Sequence, residues 1–235
     1  MNGALSLLHE DDLMKRPDVI QSNAMSLNGS LTGFPVDYAV YYPILLSYKP
    51  DMVLVGSQTV LAAKDEIPPE EDADRRKRSW SQEDSRPFLV VVDSRGRLEG
   101  MLHAFRRMVY IRDLIILISN STPKRYLRYL EEREYDTVCA GERQVNLERA
   151  FEVLHERFGA RTIVTDTGCT LNAVLLDAGL VDRISILVVP VLAAQVPVPL
   201  YAGTGTKDHI DLTLVKCEPA GSGYIHIEYA VRKAQ

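Results

Sequence analysis

The sequence predicts an α/β protein built on a mostly parallel central sheet, with an antiparallel C-terminal edge and helices on both faces. Three observations carry this. Short apolar runs such as "DMVLVG" (51–56) and "DLIILIS" (113–119) lack polar alternation and read as strands buried on both faces. From about residue 50 to 192 such runs alternate with amphipathic segments, the order that gives crossover helices and parallel neighbours. The tail "IDLTLVKCE", followed by "GYIHIEYAVRK", alternates apolar and polar residues like a hairpin with one wet side.

Taken in order, residues 1–18 carry acidic side chains where a secretory signal has basic ones, and read as an amphipathic helix or a loose arm. Val19 to Asn23 is a short β-like run, and "MSLNGSLTG" is a turn. A helix over 37–49 is limited by Pro43. The strand 51–56 closes on Gly56, and "SQTVLAA" begins a helix or a turn. Segment 64–86 is the most polar of the chain and reads as a solvated loop or a substrate lid.

"PFLVVVDSRGRL" is a strand with a polar turn. "TPKRYLRYLEERE" is a helix with Pro123 near its first turn, and "DTVCAG" is a strand. "NLERAFEVLHERFG" is an amphipathic helix ending at Phe158-Gly159. "RTIVTD", "TLNAVLLDAGL" and "RISILVVPVL" follow as strand, helix and strand. No break in composition divides the 235 residues, so one domain is expected.

Composition excludes several classes of function. A net charge of −5 gives no reason to expect nucleic acid or an anionic membrane as partner. No apolar run reaches the ~18–20 residues of a membrane span. Three scattered cysteines suit a reducing, cytoplasmic setting, and five histidines without ligand spacing argue against a metal.

Four stretches lie where strands give way to helices or loops, the place where open α/β sheets bind ligands. They are "NAMSLNG" (23–29), "VGSQTV" (55–60), "VVDSRGR" (91–97) and "TDTGCTLN" (165–172). None holds a nucleophile–base pair, so acyl transfer has no support. The last could be a tight turn with a helix cap, or a phosphate seat at a helix N-terminus.

Together and in this order, "VIQSNAMSLNG", "DMVLVGSQTVLA", "RPFLVVVDSRGRL" and "IVTDTGCTLNAVLLDAGLVDRISILVVPVL" resemble the RibD C-terminal family. These are pyrimidine reductases of riboflavin biosynthesis with the dihydrofolate-reductase-like fold. The resemblance covers about residues 19–192 and is most specific in "AGLVDRISILVVP". It implies a homodimer that uses NADPH to reduce the ribosyl group of a ribosylaminopyrimidine 5′-phosphate to ribityl, with hydride going to C1′.

Carried over by position, the resemblance sets Ala24 against the nicotinamide, and Ser26 and Asn28 on the substrate rim. Thr59 is a cofactor-binding threonine, and Ser94 lies near the adenosine. Gly168, Cys169, Thr170, Leu171 and Asn172 form the helix start that holds the cofactor phosphates. Asp166 replaces a substrate-facing glutamate and would bind sugar hydroxyls or assist proton transfer. Arg95 and Arg97 are candidates for a 2′-phosphate contact.

Departures from the family pattern are equally specific. Asn28 and Ala63 stand where the family has aspartates, Thr167 where it has glycine, and Ala193-Ala194 where it has glycines. The arginines aimed at the substrate phosphate fall on Ser47 and Glu70, with Lys49, Lys64 and Arg75 near in sequence. Two alternatives therefore stay open: a reductase of another small heterocycle such as a pterin, or a divergent non-catalytic member. On the first reading Lys49, Lys64 or Arg75 should converge on a phosphate-sized pocket. On the second that pocket should be apolar. On the third, Thr167 or the 64–86 segment should fill the cofactor groove.

Overall fold

β-Branched and other apolar residues make up most of β2 (Met52–Gly56), β3 (Phe88–Val92), β4 (Leu114–Ile118) and β6 (Thr162–Thr165), and almost all of them are buried. The computed structural model describes residues 16–62, 67–81, 83–194, 197–203 and 209–232. Its remaining strands are β1 (Asp18–Ser26), β5 (Asp136–Cys139), β7 (Arg183–Val189), β8 (Leu212–Pro219) and β9 (Ile225–Val231).

The nine form one sheet in the order β5-β4-β3-β2-β6-β1-β7-β9-β8. All pairs from β5 to β7 are parallel, and only β7–β9 and β9–β8 are antiparallel. Because β6 returns between β1 and β2, the carboxyl ends of these three strands lie side by side.

Alternate residues along the strands feed two faces. Met52, Leu54, Val90 and Ile163 pack under α5 (Leu147–Phe158) and α6 (Cys169–Asp177). On the opposite face, Ile20 and Val164 pack under α1 (Tyr38–Ser47). Farther along that face, Val91 and Ile116 pack under α3 (Leu102–Arg106) and α4 (Lys124–Glu132). Between α1 and α3 no helix among the described residues covers the sheet. The short α2 (Ser57–Ala62) closes only the end of this gap.

The structure differs from the sequence expectation at four places. β1 runs on to Ser26, because its pairing with β7 extends to Val189. Pro43 lies inside α1 without ending it, since Tyr41 and Leu45 on either side are buried against the sheet. The stretch between β3 and β4 contains α3, whose five residues are too few to show a period. The described part of segment 64–86 is strapped to the body instead of loosely solvated. Arg78 donates to the carbonyls of Arg106, Met108 and Ile111 at 2.8–3.2 Å, and Arg107 grips Asp74. Residues 1–15, Ala63, Lys64 and Asp65 lie outside the described residues.

Candidate active site

The site is built around the turn from β6 into α6. Gly168 is the N-cap of that helix, in extended conformation, with no side chain capping the first turn. The first helical bond is Asn172 N–H to Gly168 C=O at 3.1 Å. A Cβ built on Gly168 would meet nothing within 4 Å, so the space before this helix start is open to a ligand. Cys169 is half-buried, Thr170 is exposed, and Leu171 packs toward Gly56. An uncapped, sterically open helix N-terminus suits an anion, and in particular a cofactor pyrophosphate.

Thr167 does not obstruct this seat. Its side chain is 3% exposed and turned inward, with Oγ1 donating to Gly168 C=O at 3.1 Å. Its carbonyl accepts from Asn23 Nδ2 at 2.8 Å. Asn172 is fully buried and donates to Asn23 Oδ1 at 3.0 Å and Leu200 C=O at 3.2 Å. Both residues therefore brace the helix start against β1.

Asp166 stands one position before Thr167. Its N–H continues the sheet by donating to Leu54 C=O at 3.0 Å. Its carboxylate takes the Tyr41 hydroxyl at 3.0 Å from Oδ1, and the same hydroxyl lies 3.1 Å from Ser22 C=O. Burial raises the carboxyl's pKa from 3.8 to about 6, against the opposing pull of the Tyr41 hydrogen bond. Burial also pushes Tyr42 up to about 12, with the charge of Asp166 adding to it.

Beside Asp166 opens a cavity of about 330 Å³, the uncovered stretch of sheet between α1 and α3. Val53, Val55 and Leu89 form its floor. Tyr42, Leu46 and Tyr110 form its rim, with Tyr42 and Tyr110 ring centroids 6.4 Å apart. Thr59 reaches it from α2, and among the described residues Asp166 is the only charged one in its lining. Of the stretches singled out in the sequence, "VGSQTV" supplies Val55, Thr59 and Val60 and "TDTGCTLN" supplies Asp166, but none pointed to the walls contributed by α1. The tyrosine-rich "DYAVYYP" (37–43) is the signal that could have found them.

The other expected residues lie around this centre. Ala24 is half-buried and packs against the core beneath α1. Ser26 is buried, with Oγ donating to Asn28 Oδ1 at 2.8 Å. Asn28 in turn pairs with both backbone groups of Ala193, at 2.9 and 3.0 Å, so its aspartate-to-asparagine change supplies a donor. Ser94 is half-buried at the end of β3, where its carbonyl accepts from Thr122 Oγ1 at 3.0 Å. Arg97 ties that turn to α2 through Gln58 at 2.9 Å, and Arg95 is exposed.

The positions expected to grip a phosphate are occupied otherwise. Ser47 Oγ donates to the Ile44 carbonyl of its own helix at 2.6 Å. Glu70 is held by Arg133 at 2.6 and 2.8 Å and by Arg75 at 3.3 Å, which lowers its pKa. Neither Lys49 nor Arg75 lines the cavity. Among the described residues no group of three or more His, Cys, Asp or Glu is arranged to hold a metal ion.

Comparison with known proteins bears on this geometry. The family model for the RibD C-terminal domain matches residues 45–226. The chain belongs to the RibD C-terminal domain family. A curated relative is the 2,5-diamino-6-ribosylamino-4(3H)-pyrimidinone 5′-phosphate reductase of Methanothermobacter thermautotrophicus. It is 29% identical over 227 residues, which span 92% of this chain and 99% of the relative. A reductase of the same name from Archaeoglobus fulgidus is 28% identical over 141 residues, covering 60% of this chain and 62% of the relative.

Among solved structures, a pyrimidine reductase-like protein from Corynebacterium diphtheriae superposes with a TM-score of 0.71 at 18% identity, covering 93% of both chains. The riboflavin biosynthesis reductase of Saccharomyces cerevisiae gives 0.64 at 19% identity, covering 93% of this chain and 91% of that one. The RibD-family fold is thus dihydrofolate-reductase-like, with its mostly parallel sheet, antiparallel edge and helices on both faces.

Proposed function

We propose that the protein is an NADPH-dependent reductase of riboflavin biosynthesis, converting the ribosyl group of a ribosylaminopyrimidinone 5′-phosphate to ribityl. Family membership and the reductase relatives support this reading. The observation that carries it is Asp166 lining an apolar cavity two residues before an open helix N-terminus.

The residues present fit a nicotinamide dinucleotide. The first turn of α6 would take its phosphates, Thr59 would meet it across the β2–α2 turn, and Ala24, without a bulky side chain, would admit the nicotinamide. When bound, the reduced nicotinamide supplies hydride to C1′ of the opened, imine-like sugar. Reduction of the C1′=N double bond also needs one proton on nitrogen, and Asp166 would deliver it. A carboxyl with a pKa of about 6 is protonated often enough near neutrality to serve as an acid, and its conjugate base is then held by Tyr41. The apolar floor lowers the polarity around the carboxyl, which favours its protonated form.

The same reading includes a homodimer in the cytoplasm. β8 is exposed along nearly all its length at the sheet edge and carries exposed Leu212, Leu214 and Val215, which supports a second copy docking there. No helix among the described residues is long and apolar enough to cross a membrane.

The test is oxidation of NADPH by purified protein supplied with the ribosylaminopyrimidinone phosphate, followed by absorbance. Turnover with wild type and a loss of at least ~10²-fold in Asp166→Asn are expected for a lost general acid. Absence of turnover, together with absence of NADPH binding, would overturn the proposal.

A further inference from the structure

We infer that Tyr41 is a positioning residue whose hydroxyl reverses its hydrogen bonding as Asp166 gives up its proton. It donates to the Ser22 carbonyl while Asp166 is a neutral acid, and to the carboxylate once Asp166 is ionised. This rests on the reductase reading and adds a residue that acts through its acid.

Two acceptors compete for one proton. Tyr41 Oη lies 3.0 Å from Asp166 Oδ1 and 3.1 Å from the Ser22 carbonyl oxygen. A phenol has a single O–H, and neither a carbonyl nor a carboxylate can donate. With Asp166 ionised, the hydroxyl therefore serves only one of the two. With Asp166 protonated, the carboxyl O–H donates to Tyr41 Oη while Tyr41 donates to Ser22, and both contacts are made at once.

Burial makes this difference count. Tyr41 is 3% exposed and Ser22 1%, and the Tyr41 ring packs in a cluster with Ile20, Val164 and Leu187. The β1–β6 pairing ends at Gln21 and Thr165, and the next carbonyl of β1 takes this side chain as donor. A buried carbonyl without a donor is costly, but a bond to a carboxylate is roughly twice as strong as one to a neutral acceptor. On ionisation the hydroxyl accordingly turns to Asp166.

Tyr41 itself keeps its proton, since burial, and after it the charge of Asp166, raises its pKa well above the ordinary value. Facing the same carboxyl, Tyr42 is pushed up to about 12 and Tyr110 is raised, both chiefly by burial. Of these four groups, Asp166 is the one that titrates near neutrality.

The reversal sets when the stabilising bond is made. As hydride reaches C1′, the Asp166 O–H bond breaks and an N–H bond forms on the nitrogen that held the double bond. Tyr41 then turns its O–H from Ser22 to the new carboxylate, and solvent later returns the proton to Asp166. Two hydroxyl groups rotate without displacement of a heavy atom. The bond that holds the anion thus appears only as the proton leaves, which lowers the barrier and not the ground state.

The decisive experiment is carbon-13 NMR of the full-length protein between pH 5 and pH 8, with the Ser22 carbonyl and the Asp166 carboxyl resolved by selective labelling. The Ser22 signal is expected to titrate with the midpoint of Asp166 and to become flat in Asp166→Asn. In Tyr41→Phe the Asp166 midpoint should rise and the Ser22 signal should no longer follow it. A Ser22 signal that stays constant while Asp166 titrates, or that still titrates in Asp166→Asn, overturns the inference. So does an Asp166 carboxyl that does not titrate in this range. Because this readout needs no turnover, it stands apart from failure of the reductase assay.

A kinetic arm uses the same variant. Tyr41→Phe should lower kcat roughly tenfold or more while KM changes by less than about threefold, the pattern of a bond made only in the transition state. A rise in KM with kcat unchanged would make Tyr41 a wall of the binding site and overturn the inference.

Discussion

Replacing Asp166 by Asn should make the protein more stable at alkaline pH while reducing its activity, and the size of the gain follows from the burial of the carboxylate. The fold raises the pKa from 3.8 to about 6. Its neutral form is therefore the one the fold prefers, and that preference is fully expressed below pH 4 and lost as pH rises through about 6. At pH 8 the charged form costs about 3 kcal/mol, from 1.36 kcal/mol per pH unit. Asparagine has nearly the same shape, stays neutral, and still offers an oxygen to the Tyr41 hydroxyl. Its amide N–H groups need partners, which subtracts about 1 kcal/mol at every pH.

The measurement is urea unfolding of wild type and Asp166→Asn at pH 5 and pH 8. The variant should gain about 1–1.5 kcal/mol relative to wild type between the two pH values, because about half of the cost is already present at pH 5. In thermal unfolding of a protein of this length that corresponds to a midpoint shift of roughly 2–6 °C. A difference that does not change between pH 5 and pH 8 would refute the claim that Asp166 is buried at a cost to the fold. The opposing trend in activity would then lose its physical explanation as well.

Three further outcomes follow from named contacts. Gly168→Ala meets no atom and needs no unusual backbone angle, and the entropy gain offsets the poorer N-cap, so stability should change by less than about 1 kcal/mol. NADPH affinity, read by bound-nicotinamide fluorescence, should fall at least tenfold, because the methyl group occupies the space before the helix start. Tyr41→Phe removes a bond that holds the Asp166 pKa down, so it should move the alkaline limb of the pH–rate profile upward by about one pH unit; an unmoved limb would dismiss Asp166 as the titrating acid. Arg106→Ala leaves Asp113 buried without its 2.9 Å partner and frees the carbonyls of Asp74 and Arg133. Denaturation should register a loss of about 3–5 kcal/mol.

The strand–helix alternation could be read directly because parallel strands covered on both faces cannot afford polar residues. Runs such as 113–119 and 51–56 therefore stand out against the amphipathic helices between them. The ordered motifs from 19 to 192 went further and pointed to the family, and with it to Asp166 and the start of α6. What they left open was whether Thr167 would close that helix start. That depended on which way one side chain turned: its hydroxyl donates to the Gly168 carbonyl, and Asn23, far back in the chain, holds the Thr167 backbone carbonyl.

The cavity was decided only by tertiary structure. Its floor is ordinary strand sequence, indistinguishable in type from the strand residues that helices cover. Its existence follows from where α1 and α3 stop on the same face. The roles of Arg75 and Arg133 were likewise hidden, since they are charges in the sequence and become partners of Glu70 only in the fold. Local patterning thus determined which segments lie on the sheet and where they end. The distances between segments determined what those ends can bind.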